Sequence, residues 1–183
     1  MRVVKLGGSL FKNTPQNIFA CLAHIATQSI PTIVVCGGGE FADCVRHAQR
    51  QWHFSDICAH EMAILSMQQT AIMSQNLFPV FTLCSTANAI SYPDLAIWSP
   101  SIGELNAHHV RGSWDITSDS LAAWLANQVQ ATQLLVIKAC RIDSHATLEE
   151  LVQTGIIDAQ FPHFVKNASF NVTILSASAF LNL

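Results

Sequence analysis

Charge is scarce in this chain. Asp, Glu, Lys and Arg make up only 11% of its 183 residues, nine basic against twelve acidic, for a formal net charge of −3. No basic run supplies the phosphate-neutralising surface that a nucleic acid or an anionic membrane needs, so neither is an expected partner. No apolar run approaches the roughly 20 residues that span a bilayer. The chain opens on strand-like residues rather than on a basic region and a signal-peptide core, so a cytoplasmic protein is expected. C-x-x-C pairs are also missing. The six cysteines, Cys21, Cys36, Cys44, Cys58, Cys84 and Cys140, lie apart, which argues against a disulfide framework or a zinc site and predicts reduced, buried thiols. With few charges and a mean hydropathy of +0.33, solvated faces are in short supply. A homo-oligomer is therefore expected to cover part of the apolar surface.

Linkers, repeats and low-complexity tracts are absent too, so residues 1–183 read as one domain. Strand-like and helical patterns alternate along it. Val3, Val4 and Leu6 form a β-branched apolar run stopped by glycine, and Thr32–Cys36 repeats that pattern. Between them Asn13-Thr14-Pro15 marks a helix start, followed by apolar residues at helical spacing up to Ala26. Ser55 offers an N-cap to a long buried helix, or two, reaching Gln75; it contains His60, expected as a packing residue, and three methionines. Pro79–Cys84 and Leu95–Trp98 read as strands separated by a polar stretch with Tyr92-Pro93, and Leu134–Cys140 as another. An irregular segment from Pro100 to Trp114 holds the adjacent His108 and His109, which lack the further ligands a metal needs. Thr147 and Glu150 match a capping box. A helix from Phe161 to Ala168 and a strand at Asn171–Leu175 close the chain. The alternation predicts right-handed crossovers and an α/β fold on a mainly parallel sheet.

Three stretches carry chemistry. Lys5 ends the first strand and is followed by Gly7, Gly8 and Ser9; glycines let the backbone approach a bound group, and lysine adds a point charge suited to a phosphate oxygen. The second strand ends in Gly37, Gly38 and Gly39 at the mouth of a helix, on the sheet edge where open α/β folds bind ligands. Neither turn fits the P-loop or dinucleotide patterns. Thr117, Ser118 and Asp119 crowd a third helix start. One of them suffices for a cap, and the Asp119 carboxylate is placed to orient Lys5. Lys138 ends a further apolar strand in the manner of Lys5.

Taken in order, Val4-Lys5-Leu6-Gly7-Gly8-Ser9, Val35-Cys36-Gly37-Gly38-Gly39 and Thr117-Ser118-Asp119-Ser120-Leu121-Ala122 resemble the amino acid kinase family. The resemblance implies a three-layer αβα sandwich and transfer of the γ-phosphoryl group of ATP, with Mg²⁺, to a small-molecule substrate. It further implies that Lys5 and Gly8 contact the moving phosphoryl group, that Gly37, Gly38 and Gly39 hold the acceptor, and that Asp119 organises the lysines. Gly7, Ser9, Thr117, Ser118 and His163 are then the remaining phosphate- or nucleotide-binding candidates. Small size and the stretch His60-Glu61-Met62-Ala63-Ile64-Leu65-Ser66-Met67 look most like the small kinases of the methanofuran pathway. Those enzymes phosphorylate aminomethylfuran-methyl phosphate, and such an acceptor suits a pocket lined by amides rather than by a dedicated arginine. Two departures stand out. Lys138-Ala139-Cys140-Arg141-Ile142-Asp143 lacks the glycine of the family's Thr-Asp-x-x-Gly turn, and Phe161-Pro162-His163 carries His163 near a position where many members have lysine. Lys138 is the candidate replacement for that charge; the alternative is a noncatalytic nucleotide- or phosphate-binding member, or a structural subunit.

Overall fold

The computed structural model describes residues 1–12, 15–88 and 94–183; Asn13-Thr14 of the expected helix start and Tyr92-Pro93 lie outside them. Six strands form one sheet: β1 (Arg2–Leu6), β2 (Thr32–Cys36), β3 (Thr82–Cys84), β4 (Leu95–Trp98), β5 (Gln133–Lys138) and β6 (Asn171–Ser176). Their order is β3-β4-β2-β1-β5-β6, and every pair is parallel. The helices are α1 (Pro15–Ala26), α2 (Gly39–Trp52), α3 (Asp56–Leu77), α4 (Ile102–Ala107), α5 (Ser118–Gln128), α6 (Leu148–Gln153), α7 (Phe161–Val165) and α8 (Ala177–Phe180). They cover both faces, which is why β1 and β2 are apolar almost throughout rather than alternating.

The period of two along a strand divides the core. Val3, Ile33, Val35, Trp98, Leu134 and Val136 face α5, with α4, α6 and α7 beside it. Val4, Leu6, Val34, Ile97, Leu135 and Ile137 face α1 and α8. Helix α3 sits across the division, giving Ile64 and Met67 to the first cluster and Ala71 to the second. Lys5 has the parity of Val3, and Lys138 that of Val136, so both lysines lie on the α5 face.

Several expectations need correction. Among the cysteines, Cys21, Cys36 and Cys84 are buried, but Cys44, Cys58 and Cys140 are exposed, because they fall on outer helix turns and in a loop. The Ser55–Gln75 pattern is a single helix capped by Ser55. It is buried on one side only: Ile57, Leu65, Ile72 and Met73 are exposed. The Pro79–Cys84 strand shrinks to Thr82–Cys84, with Pro79 and Val80 in a turn. The segment after Pro100 contains the short α4, and His109 follows it in the left-handed region, φ 55°. The helix expected from Phe161 to Ala168 ends at Val165, and a further short helix, α8, follows the last strand. The capping box of Thr147 and Glu150 is present.

Leu22 on α1 is fully buried against the sheet, and truncating it leaves a cavity. Leu22→Ala is expected to cost about 2–5 kcal/mol in urea unfolding, whereas Ile57→Ala, exposed on α3, stays within about 0.5 kcal/mol.

Candidate functional site

Parity and register bring the charged residues together. Lys5 pairs across the sheet with Val136, which leaves Lys138 two residues further along the neighbouring strand and on the same face. The first turn of α5 lies above them and supplies Asp119. Lys5 Nζ is 2.6 Å from Asp119 Oδ1, while Lys138 Nζ donates to Oδ1 at 2.8 Å and Oδ2 at 2.7 Å. All three are buried, at 2%, 4% and 8% exposure for Lys5, Asp119 and Lys138. Burial alone would raise the Asp119 pKa, but Lys5 and Lys138 outweigh it and hold the carboxyl below its ordinary value. For Lys138, burial and then the Lys5 charge lower the pKa to about 8 against the pull of Asp119. Three buried charges thus carry a net charge of one proton, on the positive side.

The start of α5 is capped from a distance. Thr117 stands at the N-cap, yet its side chain makes no capping bond to its own helix. Instead Asp158, in the loop before α7, accepts from the Thr117 amide (2.9 Å), the Thr117 hydroxyl (2.8 Å) and the Ser120 amide (3.0 Å), and also from the Ser120 hydroxyl. The expected local cap is therefore replaced by a carboxylate 38 residues beyond Ser120. It satisfies the orphan amides and suits the positive end of the helix.

The two glycine turns touch each other. A Cβ on Gly37 would lie 2.5 Å from the Gly8 nitrogen, and one on Gly8 would lie 2.9 Å from the Gly39 nitrogen. Gly39 also has φ +54°, a conformation that favours glycine. Close approach of backbone to backbone is thus one concrete demand these glycines meet.

Two adjoining clefts open on this junction. The first, a cavity of about 160 Å³, is lined by Gly38, Gly39, His60, Ile64, Met67 and Trp114, among others. The second, about 830 Å³, runs past Lys5, Gly7, Asp119, Lys138 and Cys140 to residues 154–159. Gly8, Ser9, Lys12, Arg46, Trp114, Thr117 and Ser118 line both. Gly37 lines neither, and His163 is elsewhere: it borders a separate cleft with His108, Trp124 and Gln160.

Sequence reasoning missed Lys12, Arg46, Trp114 and Asp158. Lys12 forms an ion pair with Asp43. Arg46, two turns into α2, stacks over the Trp114 ring at 3.6 Å from its centroid, and the Trp114 indole donates to Gln49 at 2.7 Å. The smaller cleft is therefore not lined by amides alone, because α2 carries an arginine back over the glycine turn from which it starts. The sequence signal was the i, i+7 spacing of Gly39 and Arg46, which puts both on one helix face. Among the described residues no three His, Cys, Asp or Glu side chains are grouped to hold a metal ion.

Because the Gly37 position has no room for a Cβ, Gly37→Ala is expected to cost about 1–3 kcal/mol by thermal or urea unfolding. Gly103→Ala, whose Cβ would meet only the Ser101 hydroxyl at 3.7 Å, serves as the tolerant control.

Comparison with known proteins bears on the family and the fold. Residues 1–140 match the amino acid kinase family. A [5-(aminomethyl)furan-3-yl]methyl phosphate kinase of Methanocaldococcus jannaschii is 27% identical over 139 residues; the match takes in 74% of this chain and 64% of that enzyme's length, just under two thirds. The uridylate kinase of Archaeoglobus fulgidus superposes with a TM-score of 0.72 at 17% identity, over 99% of this chain and 94% of that one. The UMP kinase of Ureaplasma parvum gives 0.70 at 17% identity, over 96% and 88%. At such identities the structural likeness speaks for the fold alone, a three-layer αβα sandwich. With that fold, with its motifs in order and with more than half its length matched, this chain belongs to the amino acid kinase family.

Proposed function

We propose that this protein is an ATP-dependent small-molecule kinase whose acceptor is a phosphate monoester. The acceptor we favour is aminomethylfuran-methyl phosphate, in methanofuran-type cofactor biosynthesis. The observation that carries this reading is the buried Lys5–Asp119–Lys138 cluster, whose excess positive charge lines the larger of the two adjoining clefts. An anion in transit between them would meet that charge.

Adenosine triphosphate fits the larger cleft. About 830 Å³ lies within the range of roughly 300–1,000 Å³ usual for small-molecule sites, and the wall nearest the cluster is cationic. Bound there, ATP supplies the transferable phosphoryl group. Lys5 neutralises charge on that group beside the Gly8 backbone, Asp119 fixes the direction of both ammonium groups, and Lys138 supplies a second cation from the adjacent strand. In-line phosphoryl transfer asks chiefly for this positioning and charge stabilisation. Magnesium, expected with ATP, would be held chiefly by the nucleotide phosphates and water rather than by a cage of protein ligands; both Asp119 oxygens are engaged by lysines, and no step is assigned to the metal.

The smaller cleft suits the acceptor. Arg46 and Lys12 stand where the clefts meet, in position for its phosphate. Beyond them Ile64, Met67 and Trp114 enclose about 160 Å³, the scale of a cavity that takes one benzene-sized ring. The exposed apolar residues of α3 support the homo-oligomer expected from so charge-poor a sequence.

A second reading, a nucleotide- or phosphate-binding member without turnover or a structural subunit, draws on two features: the Lys138–Asp143 segment lacks the turn glycine, and α7 gives the larger cleft no cation, since His163 borders another.

Three measurements test the proposal. Lys5→Ala should lower kcat for aminomethylfuran-methyl phosphate by about 10²–10³-fold with an unchanged far-ultraviolet circular dichroism spectrum; full activity in that variant would sink the kinase reading. ATP should shield Cys140, which lines the larger cleft, from alkylation, while Cys44 and Cys58 outside both clefts react as before. A chain that binds ATP without turnover would show the shielding alone. Lys138 is cationic below about pH 8 and neutral above it, so kcat/KM for ATP should fall as pH rises through about 8. Lys138→Arg, whose guanidinium keeps its charge, should remove that alkaline limb.

A further inference from the structure

Two cations line both clefts, and they differ in how they are held. Lys12 is paired with Asp43. Arg46 is not paired: among the described residues its guanidinium makes no ion pair and no hydrogen bond. Asp43, three residues before it on α2, is already taken by Lys12. The side chain is exposed, so its N–H donors are open to a ligand.

An exposed arginine ordinarily moves through many rotamers, and a ligand that fixes it must offset that lost freedom. Trp114 restricts it beforehand. The guanidinium carbon lies over the indole, 3.6 Å from the ring centroid, well inside the range of a cation–π contact. The indole is itself held, because its Nε1–H donates to Gln49 Oε1 at 2.7 Å. The same amide donates through Nε2 to Asp56 Oδ1 at 2.8 Å, which settles which end of Gln49 meets the ring. Arg46 and Gln49 stand three residues apart on α2 and share a face. One helix therefore grips Trp114 by its ring face and by its edge. Stacking covers a face of the guanidinium and leaves the donors, which lie in its plane, uncovered.

We propose that Trp114 is a positioning residue that holds the Arg46 guanidinium as a preformed clamp for the phosphate of the acceptor, with Gln49 locking the indole. This rests on the acceptor site proposed above and adds residues that act on it through Arg46. A planar fork fixed at the mouth of a cleft suits two oxygens of a phosphate monoester. Trp114 contributes by what it does to the arginine before the ligand arrives.

The test is a binding cycle. Calorimetry with [5-(aminomethyl)furan-3-yl]methyl phosphate is run on the wild-type chain, Trp114→Leu, Arg46→Ala and the double variant. Arg46→Ala should weaken binding about 10- to 100-fold, the range for hydrogen bonds to a charged group. Trp114→Leu should weaken it about 2- to 10-fold, the cost of ordering one long side chain on binding, and that loss should vanish when Arg46 is already alanine. Trp114→Phe keeps a ring face and should retain most of the affinity. A second reading needs no ligand: the heteronuclear NOE of the Arg46 Nε–H group should be that of an ordered side chain in the wild-type chain and in Trp114→Phe, and should fall in Trp114→Leu. An Arg46 side chain already mobile in the wild-type chain overturns this inference alone. So does a Trp114→Leu variant that binds as before or loses as much with Arg46 as without it, which would mark a plain cleft wall. Undiminished binding by Arg46→Ala removes the phosphate contact proposed above, and a wild-type chain that does not bind removes the acceptor assignment; each takes this inference with it.

Discussion

Two ammonium groups converge on one carboxylate beneath the first turn of α5, and much of the architecture serves that meeting. Taking ions out of water costs several kcal/mol each unless they are paired and hydrogen-bonded. Asp119 offers both oxygens to Lys138 and shares one with Lys5, which settles one positive charge and leaves another. That arrangement holds only if β1 and β5 are neighbours in register, if both lysines share a face, and if α5 begins directly above them. Asp158 secures the last condition by tying the start of α5 to the loop before α7. One wall of the larger cleft and the helix that aims the lysines are thereby joined by a single carboxylate.

The strands were the most legible part of the sequence, because buried parallel strands are written as short β-branched runs bounded by glycine or proline. Thr32–Cys36 was read to the residue. Lys5 and Lys138 were also readable, since each interrupts an apolar run at its end, and alternation decides which face it takes. Asp119 stood out as a carboxylate beyond what a cap requires. Arg46 and Trp114 did not stand out. On a sequence, Arg46 is one polar residue on a polar helix face, and only the folded chain lays Trp114, from a distant segment, under its guanidinium. The same limit applies to His60, where packing was foreseen but not the buried Nε2, which meets no partner among the described residues. His163 shows the converse. Its place beside a proline resembled a family position, but α7 is short and turns that residue toward His108 and Trp124.

Fold and acceptor are separate matters here. Uridylate and UMP kinases share the fold closely enough to superpose over nearly the whole chain. The smaller cleft, about 160 Å³, is lined by apolar and charged side chains together. A common scaffold thus says nothing of the side chains that α2, α3 and the segment around Trp114 place along the clefts, which the superposition does not constrain.

The contact between Gly8 and Gly37 has a consequence for how such a protein can diversify. With no side chain between them, the two turns form one continuous seam of main chain, and the spacing between the two clefts is inherited from the sheet itself. Substitution cannot adjust that spacing by degrees, since the smallest addition already collides with backbone. Evolutionary freedom is left to the helices that leave the seam, where a changed residue alters the lining of a cleft without moving the two clefts apart.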